Sequence, residues 1–228
     1  MYQEKEQEVT FKFENNPHPG LFICLEGIDG SGKSTQTEKI KEFLTKQGKN
    51  FVVTKEHNED YANGKEIQEV LDHKRKINSP LEFQEMYIAN RQNHLNNLVI
   101  PSLEKGKIVL TDRYFWSTIA YGSLGVNKET LIELNKNFIA PDLTIFISVK
   151  PEKAIERLKS SRSSSEIFEK LEKLKIIDQT YKWLNLNFSQ QIITINGERS
   201  EAEITSQMIN IITKNKKFNQ AKIHENIN

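Results

Sequence analysis

A single cysteine, Cys24, occurs in the 228 residues, so no disulfide can close within the chain. It falls inside an apolar run, Leu21-Phe-Ile-Cys-Leu25, and reads as a small core residue rather than a reactive thiol. An excess of either charge is also missing. The 32 Lys+Arg and 31 Asp+Glu leave a formal net charge of +1, which removes the electrostatic reason to expect a nucleic acid or a membrane surface as partner. No apolar run approaches the roughly 20 residues of a membrane span. The first twenty residues, MYQEKEQEVTFKFENNPHPG, lack the apolar centre of a secretory signal. These absences together point to a cytoplasmic setting. The length suits one domain with a sizeable core and room for a small lid.

What is present begins at Leu21. In LFICLEGIDGSGKSTQ, the stretch from Gly27 to Ser34 fits G-x-x-x-x-G-K-[ST], with an apolar run before it and an amphipathic segment, Ser34–Leu44, after it. Gly27, Gly30 and Gly32 allow successive N–H groups to curl around phosphate oxygens. The following helix adds the positive end of its dipole. In that setting Lys33 reaches the β- and γ-phosphates and the Ser34 hydroxyl ligates Mg²⁺. The chain is therefore expected to bind a nucleoside triphosphate.

Residues 1–20 read as a polar extension, residues 21–214 as one nucleotide-binding domain and residues 215–228 as a polar tail. Inside the domain, strands and helices alternate. Strands are expected at Phe22–Leu25, Phe51–Thr54, Ile108–Thr111, Leu143–Val149 and Gln191–Ile195. Helices are expected from Lys33 to Gly48, over Leu81–Glu104 with a kink or break at Pro101, and over Glu129–Phe138. Three more follow: Pro151 to about Lys159, Ile167–Phe188 and Glu201–Thr213. Buried-type strands alternating with helices argue for an α/β fold, a parallel sheet covered on both faces, with the ligand beyond the carboxyl ends of its strands.

The rest of the chain narrows the chemistry. A GTPase would carry a separate D-x-x-G after a strand and an N-K-x-D base-reading motif, and neither is found. A motor domain is normally larger. A small nucleotide kinase needs a cationic acceptor pocket and an Arg-bearing lid. Asp112-Arg113-Tyr114 directly follows the third strand. There Asp112 can hold Mg²⁺ through water and Arg113 can clasp a phosphate. Tyr87 and Arg91, four residues apart, share one helix face and are either a base-stacking pair or a packed surface. The Ser-rich stretch at about 160–166 carries Arg162 and is either a closing lid or a solvated loop.

Taken together these segments resemble the thymidylate kinase family, from Leu21 to about Ile212. LEGIDGSGKSTQ resembles F-E-G-x-D-G-x-G-K-[ST]-T-Q, and TDRYFWSTIAYG resembles D-R-Y-x-x-S-x-x-A-Y-Q. LEFQEMYIANRQNH and PDLTIFISVKPEKAIERL resemble two further family segments. The resemblance implies a P-loop kinase fold with a short lid, ATP and dTMP as substrates, Mg²⁺ as cofactor, and a homodimer. It places Gly27, Gly30, Ser31, Gly32, Lys33, Ser34 and Thr35 around ATP, with Ser34 and Asp112 at the metal. Asp29 takes the sugar 3′-hydroxyl, and Arg113 clamps the acceptor phosphate. Lys55, Glu56 and Ser117 join the acceptor site. Tyr87 stacks on thymine, Arg91 reads its edge, Thr118 occupies a position that can contact the base, and Tyr121 packs below the deoxyribose and excludes a 2′-hydroxyl. Gly30 stands where one subclass carries an Arg in the loop, which leaves Arg162 of the lid, or Arg157, to complete the catalytic set with Lys33, Asp29 and Arg113. The chain departs from the family at Thr54-Lys-Glu-His-Asn58, where T-R-E-P-G-G is usual. Tyr87 replaces Phe, Gly122 replaces Gln, and Ser148 replaces Asp. Those departures keep open a kinase for another nucleoside or nucleoside monophosphate, or a catalytically weak nucleotide-binding paralogue.

Overall fold

Short apolar runs bounded by turn residues become five parallel strands: β1 (Phe22–Glu26), β2 (Phe51–Lys55), β3 (Ile108–Asp112), β4 (Leu143–Ser148) and β5 (Ile192–Asn196). The computed structural model describes residues 11–158 and 164–221, the first five of the latter segment in backbone only. The sheet order is β2-β3-β1-β4-β5, all pairs parallel. Central β1 is buried along its whole length, as a strand covered on both faces must be. The helices are α1 (Lys33–Lys46), α2 (Gly64–Leu71), α3 (Pro80–His94), α4 (Ile100–Glu104), α5 (Phe115–Gly122), α6 (Lys128–Asn135), α7 (Pro151–Arg157), α8 (Ser164–Asn187), α9 (Glu201–Lys214) and α10 (Lys216–Gln220). Right-handed crossovers in opposite directions from β1 put α1 and α9 on one face and α3, α5 and α8 on the other. The contacts of α1 with α9, and of α5 with α3 and α8, agree. Leu25, Lys55 and Asp112 stand level at the carboxyl ends of β1, β2 and β3, so the loops after these strands open onto one crevice.

The expected helix over Leu81–Glu104 is continuous in direction but not in hydrogen bonding. A π-helical turn, Leu95–Val99, joins α3 to α4, and Pro101 lies in the first turn of α4. Proline cannot donate to the preceding turn, and the wider turn relieves its clash with the carbonyl four residues back.

Both ends of the domain lie further out than the sequence suggested. Phe13 is 1% exposed and belongs to the core. Asn15 bridges to Ala140, and the Asn16 side-chain amide donates to Gly20 O and to Asp142 Oδ2. Residues 11–20 therefore pack on the body instead of extending from it. At the other end α10 buries Phe218, so the packed chain continues past 214.

Candidate active site

The loop after β1 is built for close approach. Gly30 and Gly32 have φ of 82° and 99°, the left-handed region open to glycine. A Cβ on Gly30 would lie 2.4 Å from Ala154 O. The loop opens onto a cleft of about 540 Å³ that includes Gly30, Gly32, Lys33, Ser34 and Thr35. Gly27 and Ser31 lie behind it: Ser31 is 1% exposed and its backbone N–H donates to Ile28 O at 3.1 Å. Of the seven residues the sequence reading put around ATP, these two shape the loop rather than face the cleft. The Lys33 ammonium donates to Gly27 O (2.9 Å) and Ile28 O (3.2 Å). Burial, with the nearby Arg113 charge, pulls its pKa down to about 8. Ser34 Oγ donates to Asp112 Oδ2 at 3.5 Å, and Asp112 Oδ1 is buried without a partner.

A second cavity, of about 610 Å³, adjoins the first and shares Asp29, Lys55, Glu56 and Arg113 with it. Arg113 is the hinge of the arrangement. Its φ is 71°, a region costly for a residue with a side chain. Its N–H is tied to Leu25 O and its carbonyl accepts from Thr111 Oγ1. The guanidinium donates to Asp29 Oδ1 (2.7 Å), Tyr121 Oη (3.0 Å) and Ser117 Oγ (2.9 Å) and lies over the Tyr121 ring, 4.6 Å from its centroid. Burial pushes the Asp29 carboxyl up, but Arg113 and Lys33 outweigh it and leave its pKa low. Tyr121 also accepts from the Asp29 N–H, and burial raises its hydroxyl to about 12.

Tyr87 lines the second cavity edge-on to Phe83 and His57, with centroids 5.2 and 5.9 Å apart. Lys55 sits at the junction, exposed, 3.8 Å from the Glu59 carboxylate. Arg91 is 1% exposed, and its guanidinium is bonded to Glu56 Oε2, Asn135 Oδ1 and Thr118 Oγ1. The residue read as a base-edge reader is thus the centre of a buried network at the cavity wall, and the hydroxyl of Thr118 is drawn into it. Ser117 is similarly engaged, by Arg113, Glu26 and Tyr181. Arg162 lies outside the described residues. Arg157 does reach the loop: it donates to Gly197 O at 2.9 Å, with Gly30 O and Ser31 O at 3.4 Å.

Lys170 and Glu26 belong to the site although no motif assigns them a role. Lys170, on α8, lines the first cleft. Glu26, at the end of β1, is a buried carboxylate that accepts from Tyr114 N, Ser117 N, Ser117 Oγ and Tyr181 Oη. It ties the start of α5 to β1 and α8, and so fixes where Arg113 stands. Burial holds its pKa above the usual carboxylate range, despite the hydrogen bonds from Ser117. The signal available was its place in LEG, one residue before the loop.

The family model described as thymidylate kinase matches residues 25–209. The thymidylate kinase of Leptospira borgpetersenii serovar Hardjo-bovis (strain L550) is 36% identical over 202 residues, 86% of this chain and 94% of that protein.

The chain belongs to the thymidylate kinase family.

A probable thymidylate kinase of Thermococcus onnurineus (strain NA1) is 34% identical over 203 residues, covering 84% of this chain and 97% of its own length. The thymidylate kinase of Desulfotalea psychrophila (strain LSv54 / DSM 12343) is 34% identical over 178 residues, 77% of this chain and 87% of its own. As a member of the thymidylate kinase family this chain is an enzyme, a kinase with the five-stranded parallel α/β fold described above.

Proposed function

We propose that this chain transfers the γ-phosphoryl group of ATP to dTMP, forming dTDP and ADP. The observation that carries the proposal is the pair of adjoining cavities that share Asp29, Lys55, Glu56 and Arg113. One is walled by a phosphate-binding loop and the other by an aromatic ring and apolar side chains. Donor and acceptor phosphates then meet over Arg113, and holding them in line supplies much of the catalysis.

On this reading Lys33 leaves the carbonyls of Gly27 and Ile28 and turns to the β- and γ-phosphates. Arg113, pinned by Asp29 and Tyr121, presents its remaining N–H capacity to the acceptor phosphate. Asp29 accepts the sugar hydroxyl, Tyr121 lies under the deoxyribose, and Tyr87 offers its face to the base. Lys55 contributes a point charge where the phosphates meet. Ser34 and Asp112 fit a divalent cation: Asp112 Oδ1 is buried and unpaired beside the Ser34 hydroxyl. No group of three acidic, His or Cys side chains forms a cation site among the described residues. Ser34 and Asp112 would hold Mg²⁺ there with water and nucleotide phosphates completing its shell, and its charge would offset that of the phosphoryl oxygens. The family resemblance adds a homodimer and a cytoplasmic location to the proposal. No helix among the described residues is long and apolar enough to cross a membrane.

The test is an ADP-release assay with ATP and Mg²⁺ against dTMP, dUMP, dCMP, UMP and thymidine. Selective turnover of dTMP is expected. Lys55 and its ion pair with Glu59 favour a second reading, a kinase for another acceptor, and faster turnover of any other member of the panel would select it. Sedimentation of the same preparation reads the dimer.

A further inference from the structure

Along α3, Gln84, Tyr87 and Arg91 fall at i, i+3 and i+7, on one face of the helix, and all three line the acceptor cavity. Their hydrogen-bonding capacity differs. Most of the Arg91 guanidinium is engaged by Glu56, Asn135 and Thr118. Tyr87 offers a ring face. Gln84 is 7% exposed, its amide makes no hydrogen bond to any described residue, and it lines the cavity.

Gln84 reaches this place because residue 122 has no side chain. A Cβ on Gly122 would stand 2.9 Å from Gln84 Oε1, 3.0 Å from its Cδ and 2.9 Å from the tip of the Leu131 side chain. Gly122 is the last residue of α5, the helix that also carries Thr118 and Tyr121. The α5 wall thus leaves a gap, and an amide from α3 fills it.

A side-chain amide sets one acceptor and one donor group in a plane. The edge of a thymine or uracil base sets a ring N–H beside a carbonyl oxygen, which such an amide matches at two points. A base that satisfies a nearly buried amide is favoured over one that leaves it unpaired. We propose that Gln84 reads the hydrogen-bonding edge of the acceptor's pyrimidine base and is a further specificity-determining residue of this cavity. The proposal rests on the dTMP kinase reading and adds to it a base reader that no motif marks.

Steady-state assays of the full chain, with dTMP and ATP each varied, test it on wild type, Gln84→Ala and Gln84→Ala/Gly122→Gln. Gln84→Ala raises KM for dTMP about tenfold and leaves KM for ATP within about twofold. In the double variant an amide returns to the same space from α5, and most of the loss is recovered. A second readout uses dTMP methylated at N3, which has no ring N–H to offer. The penalty for that methyl group is larger in wild type than in Gln84→Ala. Unchanged KM for dTMP in Gln84→Ala overturns the proposal, and so does an equal methylation penalty in both proteins. Equal rises in both KM values with a lower melting temperature also overturn it, because they mark a packing role. Wild-type protein that turns over no pyrimidine monophosphate overturns the dTMP kinase reading itself, before any variant is made.

Discussion

Lys33 carries a positive charge that the fold only half tolerates. Its ammonium is buried against Gly27 O and Ile28 O, neither of them anionic, and burial together with Arg113 brings its pKa to about 8. Phosphate binding needs the protonated form. Above pH 8 the nucleotide-free enzyme is increasingly neutral at Lys33, and ATP must supply the energy to reprotonate it. The Kd for ATP is therefore expected to rise about tenfold between pH 7 and pH 9. Calorimetric titration at the two pH values reads it, and Lys33→Met should remove the slope while weakening binding throughout. A flat wild-type profile would show that the lysine stays charged in the free protein. Arg113 is held by the opposite strategy. Its backbone strain is supported by hydrogen bonds to Leu25 and Thr111, and its guanidinium keeps two acidic neighbours, Asp29 and Glu26, so its charge is secure at any working pH.

Between elements, the Glu56–Arg91 pair is the main polar tie. It joins the end of β2 to α3, and through Asn135 and Thr118 it reaches α6 and α5. Both side chains are buried, at 4% and 1% exposure, and Arg91 also lies over the Tyr114 and Phe138 rings. Removing one partner leaves an uncompensated buried charge. Glu56→Ala should destabilise the fold by about 3–5 kcal/mol, read as a lower urea midpoint at unchanged slope. A loss within 1 kcal/mol would mean that Arg91 finds water or another acceptor.

This network also shows why some of the chain was legible in sequence and some was not. The five strands are apolar runs between breakers, and the phosphate-binding loop is a local pattern, so both could be read where they stand. Arg91 meets Glu56 and Asn135 across 35 and 44 residues, and nothing local announces either partner. Helix α5 was missed as a helix because seven of its eight residues are buried, which erases the polar face that periodicity needs. Gln84 was passed over for a related reason: its meaning depends on the gap at Gly122, on another helix.

At the scale of the whole molecule, the two ends of the described chain are stitched to the base of the sheet. The Asp142 carboxylate takes the Asn16 amide, the Phe22 N–H and the Lys217 ammonium. Lys49 donates to the carbonyls of Phe218 and Ala221. Phe13 stacks on Phe115 at 4.3 Å, meets Trp116 edge-on at 5.0 Å and touches the Phe188 ring at 5.6 Å. These three neighbours come from the first turn of α5 and the residue just after α8, the elements that carry the acceptor wall and Tyr181. The polar composition around Phe13 concealed this, because two Phe residues among charged ones do not make an apolar run. The consequence is a stability test that separates a packed segment from an appended arm. Phe13→Ala removes a buried ring from a cluster that cannot close over the space, and should cost about 3–5 kcal/mol. Circular dichroism during urea unfolding reads the loss. ATP affinity at 25 °C should hardly change, because the nucleotide loop and α1 belong to the other face of the sheet. An unchanged midpoint would return residues 11–20 to the status of an extension. A lowered midpoint with intact ATP binding would place the start of the folded domain at or before Phe13.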